Sequence, residues 1–226
     1  MTTETNPAPK SDAETARALP SGPTLRRLPW YLACVSLLRS KGIKNVSSTA
    51  IAREINVDPS QTAKDLSVLR LKGKTRIGYD VIALESAIKD FLGFTSSHVA
   101  VIMGVGSLGA ALLADRGLHR FGLDIVAGFD VDPSIIGNTI KGVPVFPTSE
   151  LAERRKAYDA EIGIIAVPVE QAQEAADLLV ESGIKALWNF TPFRIRVKPG
   201  IVIENTSIYA DLALIYSRLS SNASKK

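Results

Sequence analysis

Six residues, Gly104-Val105-Gly106-Ser107-Leu108-Gly109, carry three glycines at the spacing that lets a backbone cradle a phosphate. The first glycine permits a tight turn, the second lets the chain approach a pyrophosphate, and the third lets helix and strand pack closely. A helix beginning there offers free N–H groups and the positive end of its dipole to an anion. Asp130 stands 21 residues beyond Gly109, where the dinucleotide fingerprint calls for an acid to bind the adenosine ribose. A carboxylate at that place repels a 2′-phosphate, so the pattern favours NAD(H) over NADP(H).

Glycine spacing recurs by chance, so the elements around it must support it. Val99 to Met103 is a continuous apolar run, as a buried parallel strand should be. It leads into the glycines, and Ala110 to Ala114 continues as helix. A second apolar run, Ile125 to Phe129, ends on Asp130 and Val131. Ile162 to Pro168 predicts another strand, with Val167-Pro168 at the ligand side, followed by a helix from Val169 to Ser182. Ala186 to Phe190 predicts the next strand. It contributes Asn189 and Phe190 and is closed by Thr191 and Pro192 at the same side. Strands alternating with helices predict a Rossmann-type, doubly wound parallel sheet over residues 94–206.

The charge is unevenly placed. Residues 1–79 carry a balance of +7 and residues 80–226 one of −3, together the +4 of the whole chain. A basic first third points to a polyanion. Its pattern supplies a shape. Leu28, Tyr31, Leu32, Val35, Leu37 and Leu38 fall at helical spacing over 28–40. Ser47-Ser48-Thr49 can cap a second helix through Ile55. Asp58 as N-cap, Pro59 at the first helical position and Gln61 completing a capping box start a third, expected to run to about Lys72 and stop at Gly73. Two helices joined by so tight a turn fit a helix-turn-helix, whose second member enters the major groove of DNA. Its exposed side offers Ser60, Gln61, Lys64 and Ser67. Gly73 to Tyr79, with Lys74 and Arg76 between two glycines, has the composition of a wing lying on a phosphate backbone, or of a solvated hairpin.

The chain therefore predicts an α/β protein. A polar, disordered tail (1–20) precedes a winged helix-turn-helix (21–93), the Rossmann domain (94–206) and a C-terminal helix with its tail (207–226). In that last helix Ile208, Leu212, Ile215 and Leu219 share one face. It either packs back on its own domain or inserts into a second subunit. No apolar stretch approaches the roughly 20 residues that span a bilayer. The first twenty residues lack the apolar core of a signal peptide. The single Cys34 excludes a disulfide framework and suits the cytoplasm. His98, placed before the first strand, and His119, placed in a surface turn, do not form a catalytic or metal-binding cluster with the right spacing. No catalytic residue and no metal site are expected. An NAD-dependent oxidoreductase, the first rival, would need a substrate domain, and about a hundred residues after Asp130 are spent completing the sheet. A CoA-binding regulator is the second rival, since related glycine loops hold CoA.

The order of these elements resembles the Rex family of redox-sensing repressors over roughly residues 22 to 219. The likeness rests on Arg27-Leu28-Pro29, Val46-Ser47-Ser48, Lys64-Asp65-Leu66-Ser67, Gly78-Tyr79, Gly104 to Gly109, Phe129-Asp130-Val131-Asp132 and Asn189-Phe190-Thr191-Pro192. It implies a homodimer with exchanged C-terminal helices, one recognition helix per half-site of a pseudo-palindromic operator, and release of that double-stranded DNA as NADH rises relative to NAD⁺. The residues carried over are Arg27, Ser47, Ser48, Ser60, Gln61, Lys64, Ser67, Lys74, Arg76 and Tyr79 toward DNA, and the glycine loop with Asp130, Val131, Val167, Pro168 and Asn189 to Pro192 toward the nucleotide. Departures are Thr62-Ala63 in place of an apolar residue and a base-contacting Arg, Val68 to Lys72 in place of an aromatic, glycine-containing stretch, and Lys74-Thr75-Arg76 in place of Lys-Arg-Gly. Asp115 stands for a Tyr near the nicotinamide. Ser207 stands for an Asp that links cofactor state to the DNA domain.

Overall fold

A computed structural model describes residues 20–223, so the tail expected over 1–20 lies outside the described residues except for Pro20. The chain divides into two compact units between Leu92 and Gly93.

In the first unit, α1 (Gly22–Ser40) begins earlier than the apolar spacing predicts. Ser21 caps it, accepting from the Thr24 N–H at 3.4 Å, and Pro23 sits in the first turn, where no N–H is needed. Pro29 is carried inside the helix at the loss of one backbone bond. Ser47 caps α2 (Ser48–Glu54) and Asp58 caps α3 (Pro59–Ser67), both as the sequence predicts. Only half of the predicted capping box forms, because Gln61 turns its amide to Asp65 instead of back to the cap. Nor does α3 reach Lys72. After Ser67 the N–H groups of Val68, Leu69 and Arg70 shift to carbonyls three residues back, and Arg70 adopts φ +54°. Leu37, expected inward, is exposed.

Strand β1 (Asn45–Val46) pairs antiparallel with β2 (Tyr79–Asp80), and the wing between Lys74 and Gly78 closes through a single bridge, each N–H reaching the other's carbonyl at 2.8 Å. Gly78 has φ +92°, and a Cβ there would lie 2.3 Å from the Val46 carbonyl oxygen, so the wing's return requires glycine. A helix the apolar pattern did not single out, α4 (Val81–Leu92), completes the unit against α1. Leu28, Tyr31, Leu32 and Val35 meet a core that includes Ile51, Leu66, Leu84 and Ile88, all fully buried or nearly so. Each such side chain contributes about 1.5–3 kcal/mol.

The second unit runs β3 (His98–Met103), α5 (Ser107–Ala114), α6 (Arg116–Arg120), β4 (Leu123–Asp130), β5 (Thr139–Ile140), β6 (Val143–Pro147), α7 (Leu151–Tyr158), β7 (Ile162–Ile165), α8 (Ala172–Glu181), β8 (Ala186–Asn189), β9 (Val202–Asn205) and α9 (Ile208–Ala223). The sheet order is β5-β6-β4-β3-β7-β8-β9, parallel except for the β5–β6 hairpin. Six strands thus follow the 3-2-1-4-5-6 order of a doubly wound sheet, with its switch point between β3 and β7. His98 opens β3 instead of preceding it, and His119 lies in α6. The strand begun at Ile162 ends at Ile165. Val167 and Pro168 form the turn beyond it, and a short 3₁₀ turn at Val169–Gln171 precedes α8.

Helix α9 does not pack back on its own sheet. Ile208, Leu212, Ile215 and Leu219 are all more than a third exposed, Leu212 least at 38%. No helix among the described residues is long and apolar enough to cross a membrane.

Candidate nucleotide site and nucleic-acid face

The glycine loop is held from both sides. The Gly104 N–H donates to the Phe129 carbonyl at 2.9 Å, and the Ala166 N–H donates to the Met103 carbonyl at 2.8 Å. Gly104 has φ +88°, and a Cβ there would lie 2.5 Å from the Ala166 carbonyl oxygen. A Cβ on Gly109 would lie 2.0 Å from the Gly104 oxygen. Gly106 differs: nothing lies within 4 Å of where its Cβ would stand. No side chain caps α5. Its first-turn amides therefore open onto free space, the geometry that suits a pyrophosphate.

Asp130 closes the loop's other flank. One oxygen accepts from the Val105 N–H at 2.7 Å, and the other from the N–H groups of Val131 (2.7 Å) and Asp132 (3.1 Å). A carboxylate offers about four acceptor sites, so the oxygen facing Val105 keeps capacity for a ribose hydroxyl. The residues present fit a dinucleotide. The crevice beyond the strand ends has a volume of about 410 Å³. Of the residues singled out from sequence, Gly104, Gly106, Asp130, Val131, Val167 and Pro168 line it. Sequence reasoning missed Ile135 and Thr148 on one side and Gln171, Glu174 and Leu178 on the other. Only the second group had a signal in the sequence: the helix expected from Val169 to Ser182, whose first turns border a switch-point crevice.

The remaining nucleotide candidates do not line this crevice. Val105 is buried in the core and Gly109 under the loop, while Ser107 is exposed at the start of α5 and Leu108 is half-buried. Asn189 and Thr191 are buried and spend their polar atoms on each other and the local backbone. The Asn189 side-chain carbonyl accepts from the Thr191 N–H and hydroxyl, both at 2.9 Å, and its amide donates to Phe193 O and Asn205 Oδ1. Phe190 packs on Trp188 with ring centres 4.6 Å apart, and Pro192 is exposed. This segment forms a turn held by its own hydrogen bonds beside the crevice.

On the first unit, Lys64, Ser60 and Ser67 occupy the exposed side of α3, with Lys74 and Arg76 exposed in the wing. Several other candidates are not free. Ser47 caps α2, Ser67 donates to the Lys64 carbonyl, Ser60 bonds Asp58, and Ser48 and Tyr79 are half-buried. Arg27 places Nε 2.6 Å and Nη2 2.9 Å from the buried Asp65 carboxylate. Asp65 collects this fork with three further donors, which hold its pKa to about 2 against the opposing cost of burial.

Known proteins match both units. Residues 20–67 match the family model described as putative DNA-binding protein N-terminus, and residues 95–193 match that described as CoA binding domain. The redox-sensing transcriptional repressor Rex of Bacteroides fragilis is 56% identical over 200 residues, covering 88% of this chain and 91% of that one. The Rex of Treponema denticola is 40% identical over 197 residues, covering 87% and 94%. The chain belongs to the Rex family. Among solved structures, RSP in complex with β-NAD⁺ and operator DNA superposes with a TM-score of 0.85 at 29% identity, over 92% of this chain and 95% of that one. RSP in complex with β-NADH gives 0.82 at the same identity.

Two residues where the chain departs from the Rex pattern have local duties. Asp115 stands between α5 and α6 and caps the latter, accepting from the Gly117 N–H at 2.6 Å. It lines a separate hollow with Leu112 and Leu118, not the crevice at Gly104. Asp115 is exposed, the arrangement in which it points to solvent as a helix cap. Ser207 begins α9, its hydroxyl accepting from the Ala210 N–H at 3.2 Å.

Proposed function

We propose that this Rex-family chain is a DNA-binding transcriptional repressor that senses the NADH/NAD⁺ ratio, with NADH binding releasing it from its operator. The observation that carries it is the open start of α5 at Gly106 beside Asp130, in a chain whose other unit presents a capped α3 and a cationic wing. RSP, a Rex-family repressor, is described with NAD⁺ and operator DNA, and separately with NADH, which supports both halves of the assignment. The glycine loop holds the pyrophosphate, Asp130 the adenosine ribose, and Val167 with Pro168 the inner edge of the crevice. Asn189 to Pro192 shape the adjoining turn. Ser60, Gln61, Lys64 and Ser67 face the major groove, with Arg27, Ser47, Ser48, Lys74, Arg76 and Tyr79 along the phosphates. The chain works in the cytoplasm and regulates rather than catalyses.

The exposed apolar face of α9 supports a homodimer in which the helix docks on the second subunit. Two-fold symmetry then matches a pseudo-palindromic site. Selection of DNA from a random pool, with and without NADH, tests the assignment: a two-fold symmetric site enriched only without NADH is expected. An asymmetric site, or enrichment indifferent to NADH, overturns it. Sedimentation of the full chain and of one ending at Asn205 reports the dimer. The match of residues 95–193 to a CoA-binding model favours one second ligand, CoA. Mass spectrometry of co-purified nucleotide decides between the two.

A further inference from the structure

We infer that Asp65 is a positioning residue for operator discrimination: without touching DNA, it fixes the plane of the Arg27 guanidinium and the orientation of the Gln61 amide. This rests on α3 being the recognition helix. Asp65 is on the inner side of α3 and only 1% exposed. Its carboxylate accepts from Thr24 Oγ1 (3.0 Å), Arg27 Nε (2.6 Å) and Nη2 (2.9 Å), Tyr31 OH (2.7 Å) and Gln61 Nε2 (2.8 Å). The acid stays ionised down to about pH 2. An ionised carboxylate only accepts, so every group around it must turn a donor inward.

Two of those groups sit at the edge of the reading face. Arg27 and Gln61 line one shallow hollow with Ser60 and Lys64. Arg27 commits Nε and Nη2 to Asp65, which leaves Nη1 to meet a phosphate at a set angle. Gln61 must present its NH₂ to Asp65, which fixes where its carbonyl oxygen and second N–H point. A glutamine amide whose two ends are told apart can discriminate bases by donor and acceptor. One that flips cannot. Stability gives a weaker account of the cluster, because a buried ion pair gains little over apolar residues of the same size.

The first unit contains its own control. Glu85 on α4 is 4% exposed and accepts from Ser36 Oγ (2.9 Å), Arg39 Nη1 (2.7 Å) and Lys89 Nζ (2.8 Å), from the C-terminal part of α1 and from α4 itself. It resembles Asp65 in burial and bonding but faces no residue of α3 among these partners.

The test uses the full chain, the operator that the wild type selects from a random pool, and an unrelated duplex of equal length. Asp65→Asn should bind the operator at least tenfold more weakly. It should bind the unrelated duplex no more weakly than wild type, because one negative charge is lost beside a polyanion site. The operator-to-unrelated ratio therefore falls at least tenfold. Glu85→Gln should lower the melting temperature and leave that ratio unchanged. A structural role alone would weaken both duplexes together in Asp65→Asn, and that result overturns the inference. If Asp65→Asn does not fold, Asp65→Glu keeps the charge but displaces the carboxylate by one methylene from Arg27 and Gln61; an unchanged ratio there overturns the inference as well. A wild type that selects no site at all overturns the recognition-helix assignment itself, a failure distinct from that of Asp65.

Discussion

Gly106 and Gly109 are three residues apart in one fingerprint, yet substitution by alanine should have opposite consequences. At Gly109 the added Cβ meets the Gly104 carbonyl oxygen at 2.0 Å and its carbon at 3.0 Å. Both are backbone atoms that cannot step aside, so the strain is of the overpacking kind, about 1–3 kcal/mol or more. Alanine's better helix propensity returns at most about 1 kcal/mol. Gly109→Ala should melt lower and lose nucleotide binding together. At Gly106, φ is −69° and the Cβ would meet nothing within 4 Å. The cost there is confined to exchanging one uncapped N-terminus for another, below about 1 kcal/mol. The same methyl group fills the space through which a pyrophosphate must approach. Losing a charged hydrogen bond costs about 1.5–3 kcal/mol, roughly 10- to 150-fold in affinity. Gly106→Ala should therefore keep the wild-type melting curve without ligand and bind NADH at least tenfold more weakly in a fluorescence titration. Wild-type affinity in Gly106→Ala would refute the placement of the pyrophosphate at this turn.

Asp130→Ala should weaken NADH and narrow the preference over NADPH, since the carboxylate that repels a 2′-phosphate is gone; equal wild-type affinity for both would exclude the ribose assignment. Lys74→Ala/Arg76→Ala should lower the slope of log affinity against log salt by about 0.9 for each phosphate no longer neutralised, and an unchanged slope places the wing off the DNA. Asp115→Tyr should leave the NADH/NAD⁺ affinity ratio unchanged, because Asp115 caps α6 away from the crevice. Asp65 and Glu85 both have pKa values lowered to about 2, from 3.8 and 4.5. Folded-state values below the unfolded ones mean stability that is complete above about pH 4.5 and lost as pH falls toward 2. Calorimetry across that window should show the wild-type melting temperature falling more steeply than that of Glu85→Gln.

Legibility followed the kind of force that makes each element. The fingerprint, β3, β4 and the caps at Ser47 and Asp58 were readable because each depends on residues adjacent in sequence. The end of α3 was not. Val68 to Lys72 continues a helical composition, and only the left-handed turn at Arg70 stops it. Strand β6 was hidden by Pro144 and Pro147 within a run of five residues. Helix α7 was hidden because only Leu151 is buried, so it has almost no apolar stripe. At the site, Asn189 and Thr191 fall at the end of β8, where the strand pattern puts them. The Asn189 amide also depends on Asn205 at the end of β9, a partner that no local pattern reveals.

The two units also obey different rules for polar groups. Around the Rossmann crevice the buried polar residues Asn189 and Thr191 are neutral, and acids such as Asp130 and Asp132 stay at the rim, where backbone N–H groups satisfy them. In the winged helix two acids are fully enclosed with cationic donors, on opposite stretches of α1. Ion pairs with a buried carboxylate are directional, and they are costly when one partner shifts. A sheet held by apolar layers can accept a ligand at its open edge with little change inside. A helix held by a five-bond carboxylate admits one pose. The physical division therefore parallels the functional one: the unit that must take up and release a small molecule keeps its charges at the surface, and the unit that must present one face to DNA buries them.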